Sequence, residues 1–141
     1  ETTLAASVAM LPRALAFVEK NQGALQPNRD ATKQVATFAK ETGHGLVYFE
    51  KGLNSGVTAA QKDGVPSLTI YRDLDSDNQD ERTIRRFLDG AAFRAKQERQ
   101  IIILARLRPE TLSALLLWAL QDRAKTVALA PLSQVLLQTE N

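Results

Sequence analysis

Apolar positions along the chain follow two alternating patterns. Short runs with almost no polar residue are typical of buried strands, whereas longer stretches with an apolar residue at every third or fourth position are typical of helices that bury one face. The short runs predict five strands, at residues 14–19, 45–49, 67–71, 101–105 and 126–129. The first of these strands, at residues 14–19, is predicted to be short and buried.

Helices are predicted around these strands from periodicity and from end signals. An apolar stripe with helical spacing precedes the first strand and is formed by Leu4, Val8 and Leu11. Asn28 is the predicted N-cap of a helix over residues 29–41, and Asn54 or Ser55 caps a shorter one. A long helix follows residue 80 and ends near Arg99. Pro109 opens a last helix, whose inward face is predicted to contain Leu112, Leu115, Leu116 and Ala119.

The alternation of strands and helices predicts an α/β fold with a parallel sheet. The strands are apolar on both faces, as parallel strands covered by helices are. Such a chain forms either an open sheet or most of a (β/α) barrel, and in both cases the loops after the strands form the default site. The loops in question are residues 20–28, 50–55, 72–80 and 106–109.

Composition narrows the classes of function. The chain of 141 residues suits one domain, and its 18 lysines and arginines against 16 aspartates and glutamates leave a net charge of only +2. This balance argues against nucleic acid as a partner. The absence of cysteine excludes disulfides and thiolate chemistry, and the single histidine, His44, excludes a site with several imidazole ligands. No apolar stretch is long enough to span a membrane.

Two groups of side chains have both a chemical and a structural interpretation. Asp73, Asp75, Asp77 and Asp80 form an acidic loop that could bind a divalent cation. We favour the alternative, in which the loop caps the following helix and complements its positive end. His44, between two glycines, is interpreted as a helix-terminus residue rather than a general base.

Charged residues also end two of the predicted strands. Arg106 and Arg108 could grip a carboxylate, a phosphate or a sugar, or they could pair with the acidic loop as a structural bridge, which spacing slightly favours. Glu50 could act as an acid or a base, or it could form a salt bridge. Tyr48 and Trp118 are predicted to belong to the core.

Several strand-end segments together resemble one family. Residues 45–50 (GLVYFE) resemble a family strand that ends in F-V-D-S, and residues 64–66 followed by 74–76 resemble G-V-P followed by F-L-D-N. Residues 106–112 (RLRPETL) resemble G-H-P-R-P-E-T-L from its second position, and residues 127–133 (VALAPLS) resemble a closing v-e-l-v-P-l-S. From about Val18 to its end, the chain thus resembles the divergent polysaccharide deacetylases, a bacterial branch of the NodB-like carbohydrate esterase fold.

The resemblance implies an incomplete, distorted (β/α) barrel with parallel strands, polysaccharide deacetylase-like. Residues 1–141 would form a single domain that corresponds to the C-terminal part of the family's domain. The family's early strand carries an Asp-Asp pair, and a segment after it carries a histidine motif. Neither occurs in this sequence, so we expect the N-terminal portion of the family domain to be absent from the chain.

The departures from the family pattern concern its catalytic positions. The segment that matches N-H-M-G has Asn21 in place of the histidine, and Arg106 stands where the late-strand histidine is expected. Asparagine is a poor zinc ligand, and arginine can neither ligate a metal nor donate a proton near neutral pH. The family aspartate is Glu50 here. We therefore expect no catalytic or metal-ligating residue in this chain, and a zinc or other divalent ion only if a missing N-terminal part supplies the ligands.

Three functions follow from the resemblance. The first is a catalytically degenerate, periplasmic deacetylase-like domain that binds an envelope glycan or a partner protein. The glycan would be peptidoglycan-like, and either acidic or N-acetylated. Asn21, Glu50, Asp75, Arg106 and Arg108 would line its ligand site. The second is an active metal-dependent N-deacetylase whose ligands lie on an N-terminal fragment. The third is a structural subunit that completes a barrel by pairing with a second chain.

Overall fold

The computed structural model describes residues 2–20, 24–53 and 55–138, which contain six α-helices, four strands and one 3₁₀ helix. In chain order the elements are α1 (Thr2–Met10), β1 (Ala16–Val18), α2 (Arg29–Thr42), β2 (Gly45–Phe49), α3 (Ser55–Lys62), β3 (Ser67–Asp73), α4 (Glu81–Glu98), β4 (Ile102–Leu104), α5 (Pro109–Ala119), the 3₁₀ helix (Ala124–Thr126) and α6 (Leu132–Gln138). None of these helices is both long and apolar enough to cross a membrane.

The chain forms two compact units. The first contains the chain up to Thr69 and returns from Pro131 onward, and the second comprises Ile70–Ala130. In the first unit β1 and β2 pair in parallel, with Phe17 opposite Leu46. Its core consists of Ala36, Ala39, Leu46, Tyr48, Val57, Ala60 and Val65.

The ends of α2 follow local rules. Asn28 is the N-cap, and its side chain accepts a hydrogen bond from the amide of Ala31, as predicted. Gly43 ends the helix with a left-handed φ of 72°, a conformation that costs a residue with a Cβ more than it costs glycine. Only Gly43 and His44 separate the end of α2 from the start of β2. β2 is buried along most of its length, as the strand of a covered parallel sheet should be.

In the second unit, β3 pairs in parallel with β4. The register shifts between Ile70 and Arg72, so Tyr71 is an extra residue in β3. The core of this unit lies between α4 and α5 and consists of Leu74, Ile84, Leu88, Ala92, Ala114 and Trp118. Tyr48 and Trp118 are thus core residues, as predicted, and each belongs to a different unit.

One predicted strand and the predicted inward face of one helix are wrong. Residues 126–129 do not form a strand: Thr126 ends the 3₁₀ helix, and the segment after it is irregular. The buried residues of α5 are Thr111, Ala114 and Trp118. Of the predicted inward residues, Leu115 packs against the core, whereas Leu116 is 71% exposed. Because α5 is apolar on nearly all sides, its pattern did not indicate which face is buried.

The first strand also differs from its prediction. β1 forms where expected, but Val18 is 48% exposed, so the strand is only partly buried. The α/β class with parallel strands is confirmed. Among the described residues, the four strands are fewer than a complete (β/α) barrel contains, and one pair has an irregular register, in agreement with an incomplete, distorted barrel.

Candidate functional site

The ends of β3 and β4 bring together two carboxylates and one guanidinium in the second unit. Arg106 Nη1 donates to Asp73 Oδ1 at 2.9 Å and to Asp75 Oδ1 at 2.8 Å. Its Nη2 donates to Asp73 Oδ2 at 3.1 Å. We refer to Asp73, Asp75, Arg106 and Thr111 as the Asp–Arg cluster. Of the two interpretations of Arg106, the structural bridge to the acidic loop is confirmed.

Asp75 is the buried centre of this cluster, because its side chain has no exposed surface. Its Oδ2 accepts the backbone amide of Arg106 at 2.9 Å and the hydroxyl of Thr111 at 2.7 Å. Burial by itself raises the pKa of Asp75, but the hydrogen bonds from Thr111 and Arg106 outweigh it and lower the pKa below its ordinary value. The carboxylate is therefore held ionised as an acceptor.

Arg106 is half exposed, with 53% of its side chain accessible. Its hydrogen bonds with Asp73 and then Asp75 raise its pKa further above the ordinary value, so it remains a cation. A guanidinium has five N–H donors, and the hydrogen bonds to Asp73 and Asp75 use three of them. As a permanent cation, the group cannot deliver a proton near neutral pH.

Local structure explains how residues distant in sequence meet here. Asp73 is the last residue of β3, and the amide of Leu74 continues the pairing by donating to Leu104 at 2.8 Å. The extra residue in β3 changes the alternation of side chains just before Asp73, which is a usual effect of a bulge near a site. Pro109 then begins α5 and places Thr111 in its first turn.

The cluster does not fit a divalent metal. Both oxygens of Asp73 and both oxygens of Asp75 already accept hydrogen bonds from Arg106, including its backbone amide. A metal ion would have to displace this permanent cation or share its ligands with it at close range, which is electrostatically costly. In the described part of the chain, no group of three or more histidine, aspartate and glutamate side chains is placed to hold a metal ion.

The rest of the acidic loop has structural partners. Asp80 is the N-cap of α4 and accepts the amide of Thr83 at 2.8 Å. Hydrogen bonding to the side chain of Thr83, and then to its amide, lowers the pKa of Asp80. Asp77 contacts Ser76 and Gln79. The predicted capping role of the loop is confirmed at Asp80, whereas Asp73 and Asp75 instead hold Arg106.

Arg108 lies directly before α5 and turns to other partners. Its Nη1 donates to the carbonyl oxygen of Gln79 at 3.4 Å, and its Nη2 lies 3.4 Å from Glu110. Arg108 follows the same strand as Arg106, but its hydrogen bond and ion pair are with Gln79 and Glu110 rather than with Asp75. Its pairing with Glu110 is half exposed and contributes little to stability.

Of the two remaining predicted site residues, the structure describes one, Glu50, which belongs to the first unit. Glu50 is exposed and follows β2 directly. Asn21 lies outside the described residues. The role of each in ligand binding stays a prediction.

His44 has the structural role that was favoured. It is buried after the C-terminus of α2, its amide donates to Ala39 at 2.9 Å, and its ring stacks on Phe17 at 4.8 Å between centroids. Its Nδ1 lies 2.9 Å from the hydroxyl of Thr42. These contacts tie the helix end to β1 and confirm the helix-terminus interpretation.

Sequence reasoning missed Thr111 and Glu19. Thr111 lies within the RPETL segment, and its position in the first turn after Pro109 was a signal that it could face the strand ends. Glu19 follows β1, is 9% exposed and accepts the amides of Leu25 and Phe49 at 2.7 and 3.3 Å. Its place as the last residue of the first predicted strand was available as a signal.

Comparison with known proteins adds one result. A family model described as divergent polysaccharide deacetylase matches residues 1–136, nearly the whole chain. The match begins earlier than Val18, where the resemblance was first placed, and therefore includes α1. No curated protein matches the chain.

Proposed function

Because the chain belongs to the divergent polysaccharide deacetylase family, we propose that it is a deacetylase-like domain that binds an envelope glycan without hydrolysing it. The observation that carries this proposal is the Asp–Arg cluster. The guanidinium of Arg106 pairs with the carboxylates of Asp73 and Asp75 at the strand ends. Arg106 stands at the position where the family pattern has a histidine. A periplasmic location is part of the same proposal and rests on the family alone.

The chemistry of the cluster favours binding over hydrolysis. Hydrolysis of an acetamide needs an activated water and a group that gives a proton to the leaving amine. Arg106 is a permanent cation, and the carboxylate of Asp75 is buried and saturated by donors. Neither residue is suited to either task.

The charge of the cluster favours a neutral sugar. Two carboxylates and one guanidinium carry a net charge of −1, and Arg108 is paired with Glu110 close by. Such a cluster attracts a carboxylate ligand less than a free arginine would. The exposed N–H groups of Arg106 suit hydroxyl and acetamide oxygens, so the favoured ligand is an N-acetylated neutral glycan rather than an acidic one.

A titration with two defined ligands tests this proposal. Tetra-N-acetylchitotetraose, which is neutral and is called chitotetraose below, is titrated into the ¹⁵N-labelled protein and followed by NMR, in parallel with muramyl dipeptide, which carries one carboxylate. We expect chitotetraose to shift the amide signals of residues around Arg106 and to bind more tightly than muramyl dipeptide. Arg106→Gln should weaken chitotetraose binding about tenfold, the effect of one good hydrogen-bonding group.

The matched control is Arg82→Gln, which removes the same type of charge from an exposed position on α4. This variant should bind like the wild type. An assay of acetate release from chitotetraose, with and without Zn²⁺, accompanies the titration. Zn²⁺-dependent release of acetate by the wild type would overturn the proposal in favour of an active deacetylase, and absence of chitotetraose binding would overturn the glycan assignment.

A further inference from the structure

The side of α4 that faces away from the core of its unit is a continuous exposed stripe. Positions that follow one another by three or four residues lie on one face of a helix. Five exposed residues of α4 have this spacing, and they are Arg82, Arg86, Gly90, Phe93 and Gln97. The buried residues of the helix fall outside the stripe and are Ile84, Leu88, Ala91 and Ala92. We refer to the five exposed residues as the α4 outer face.

Gly90 is an unfavourable residue for its position. It lies in the middle of an 18-residue helix, where glycine is less favourable than any residue except proline. Glycine is required inside a protein where a neighbouring group leaves no room for a Cβ or where the backbone has a positive φ. Gly90 has neither property, because an added Cβ would meet no other part of the described chain within 4 Å and its φ is not positive. The fold of this unit therefore does not account for glycine here.

The two arginines of the α4 outer face lack the partners that other arginines of the helix have. Arg85 and Arg94 each pair with a glutamate four residues away. Arg82 and Arg86 instead lie four residues from each other, and like charges at this spacing destabilise a helix slightly. Neither forms an ion pair within the described ranges. Their charges act on Asp80, but that carboxylate already caps the helix.

Phe93 adds a large apolar side chain to the same face, and 66% of its surface is exposed. It follows Gly90 by three residues, so the ring and the glycine are neighbours on the helix surface. About 16 Å of helix axis separates Arg82 from Phe93. The α4 outer face thus has two cations towards its start, a glycine without a side chain in the middle and an aromatic ring towards its end.

We propose that the α4 outer face binds an acidic amphipathic helix of a partner protein. Glycine lets a second helix approach the backbone of α4 closely, because no side chain separates the two. Carboxylates of the partner would pair with Arg82 and Arg86, and an apolar residue would cover Phe93. Residues that are unfavourable in the isolated helix become favourable when such a partner is bound, as expected at a functional surface.

Charge decides between this partner and a second copy of the chain. The α4 outer face carries two cations and no carboxylate, so the same face of another copy offers the arginines no opposite charge. An acidic helix provides it and also matches the linear shape of the stripe. None of the five residues belongs to the Asp–Arg cluster, so this interaction is separate from the binding of a glycan.

Two synthetic helical peptides, titrated into the ¹⁵N-labelled protein and followed by NMR, test the proposal. One carries glutamates at i and i+4 in its first turns and leucines on the same face after them, and the other has glutamine in place of each glutamate. We expect the acidic peptide to shift the amide signals of α4 with a Kd below about 1 mM, and the glutamine peptide to bind about tenfold more weakly. The double variant Arg82→Glu/Arg86→Glu should lose the preference for the acidic peptide. Arg29→Glu, at an exposed position of α2, is its matched control and should keep it.

Gly90→Gln separates docking from folding. Glutamine favours a helix and its side chain has room, so the melting temperature should rise by about 2 °C. The added bulk should nevertheless weaken binding of the acidic peptide about tenfold, because the two helices are held apart. Ala59→Gln adds the same side chain to an exposed position of α3 and should bind the peptide like the wild type.

Four results would overturn the proposal. They are the absence of any shift with the acidic peptide, equal affinity for the two peptides, unchanged binding in Gly90→Gln, and shifts confined to residues outside α4. Two further measurements test other occupants of this face. Self-association in analytical ultracentrifugation that Phe93→Ser abolishes would replace the acidic helix with a second copy. Binding to phosphatidylglycerol vesicles that Arg82→Glu/Arg86→Glu abolishes would replace it with a lipid surface.

Discussion

Replacing Asp75 with asparagine removes the charge at the buried centre of the Asp–Arg cluster while keeping the size of the side chain. In the wild type, Oδ2 accepts the Arg106 amide and the Thr111 hydroxyl, and Oδ1 accepts Arg106 Nη1. Asparagine has only one acceptor oxygen. In either orientation its NH₂ group therefore faces a donor that the carboxylate satisfied.

The size of the effect follows from the bond that is lost. The better orientation keeps the amide oxygen towards Thr111 and the Arg106 backbone, so the variant loses the hydrogen bond from the guanidinium. A hydrogen bond to a charged group contributes about 1.5–3 kcal/mol. Since Asp73 still pairs with Arg106, we expect the free energy of unfolding of Asp75→Asn to fall by about 2–3 kcal/mol at pH 7.

Urea unfolding followed by tryptophan fluorescence measures this loss. Trp118 is the single tryptophan of the chain and is buried in the core of the second unit, so its emission reports on the unit that contains Asp75. The control is Asp77→Asn, which makes the same chemical change on an exposed residue of the same loop. This control should stay within about 0.5 kcal/mol of the wild type.

The pH dependence provides an independent check. The pKa of Asp75 is lowered in the folded protein, despite its burial, by Thr111 and Arg106. The ionised group therefore stabilises the fold above the unfolded pKa, about 4 for aspartate, and this stability is lost as the pH falls through the lower folded pKa. The difference between wild type and Asp75→Asn should be full at pH 7 and should shrink below about pH 4. A loss under about 0.5 kcal/mol at pH 7, or a gap that persists unchanged at pH 3, would refute this reasoning.

Three further predictions concern the same cluster, the end of α2 and the buried face of α5. Thr111→Val removes a donor from the buried carboxylate of Asp75 and should lower the free energy of unfolding in urea by about 1–2 kcal/mol. Thr111→Ser keeps the donor and should retain most of the wild-type stability. Equal losses in the two variants would contradict the role of the hydroxyl. Gly43→Ala places a Cβ on a left-handed backbone and should lower stability by about 1 kcal/mol in thermal unfolding followed by circular dichroism, with Gly43→Asn less affected. On α5, Leu116→Gln should change the free energy of unfolding by less than about 0.5 kcal/mol, whereas Ala114→Gln should cost about 1–3 kcal/mol or more, and the reverse order would restore the face predicted from sequence.

Local signals in the sequence predicted most of the secondary structure. Asn28 and Asp80 cap their helices through their own side chains, and Pro109 opens α5, because each of these effects involves residues within one turn. The bounds of β2 were also predicted, since a short apolar run between a helix-ending glycine and a polar segment has few alternatives.

Predictions that depend on a partner segment were less successful. Residues 126–129 have the composition of a strand, but a strand needs a neighbour with free backbone groups, and sequence alone does not supply one. The buried face of α5 was wrong for a related reason. Leucines occur on nearly all sides of this helix, so only its packing against α4 decided that Ala114 and Trp118 face inward.

For the candidate site, too, the sequence predicted one part of the arrangement and left another part open. The sequence by itself predicted that Asp73, Asp75 and Arg106 lie at or just after the ends of strands, and that parallel strands bring these ends to one edge. It left open whether Arg106 would face a ligand or the acidic loop, because 31 residues separate it from Asp75 and no periodicity spans that distance. Only the tertiary structure decided that the guanidinium binds both carboxylates. The physical reason is that the buried charge of Asp75 needs donors, and the fold places Arg106 and Thr111 where they supply them.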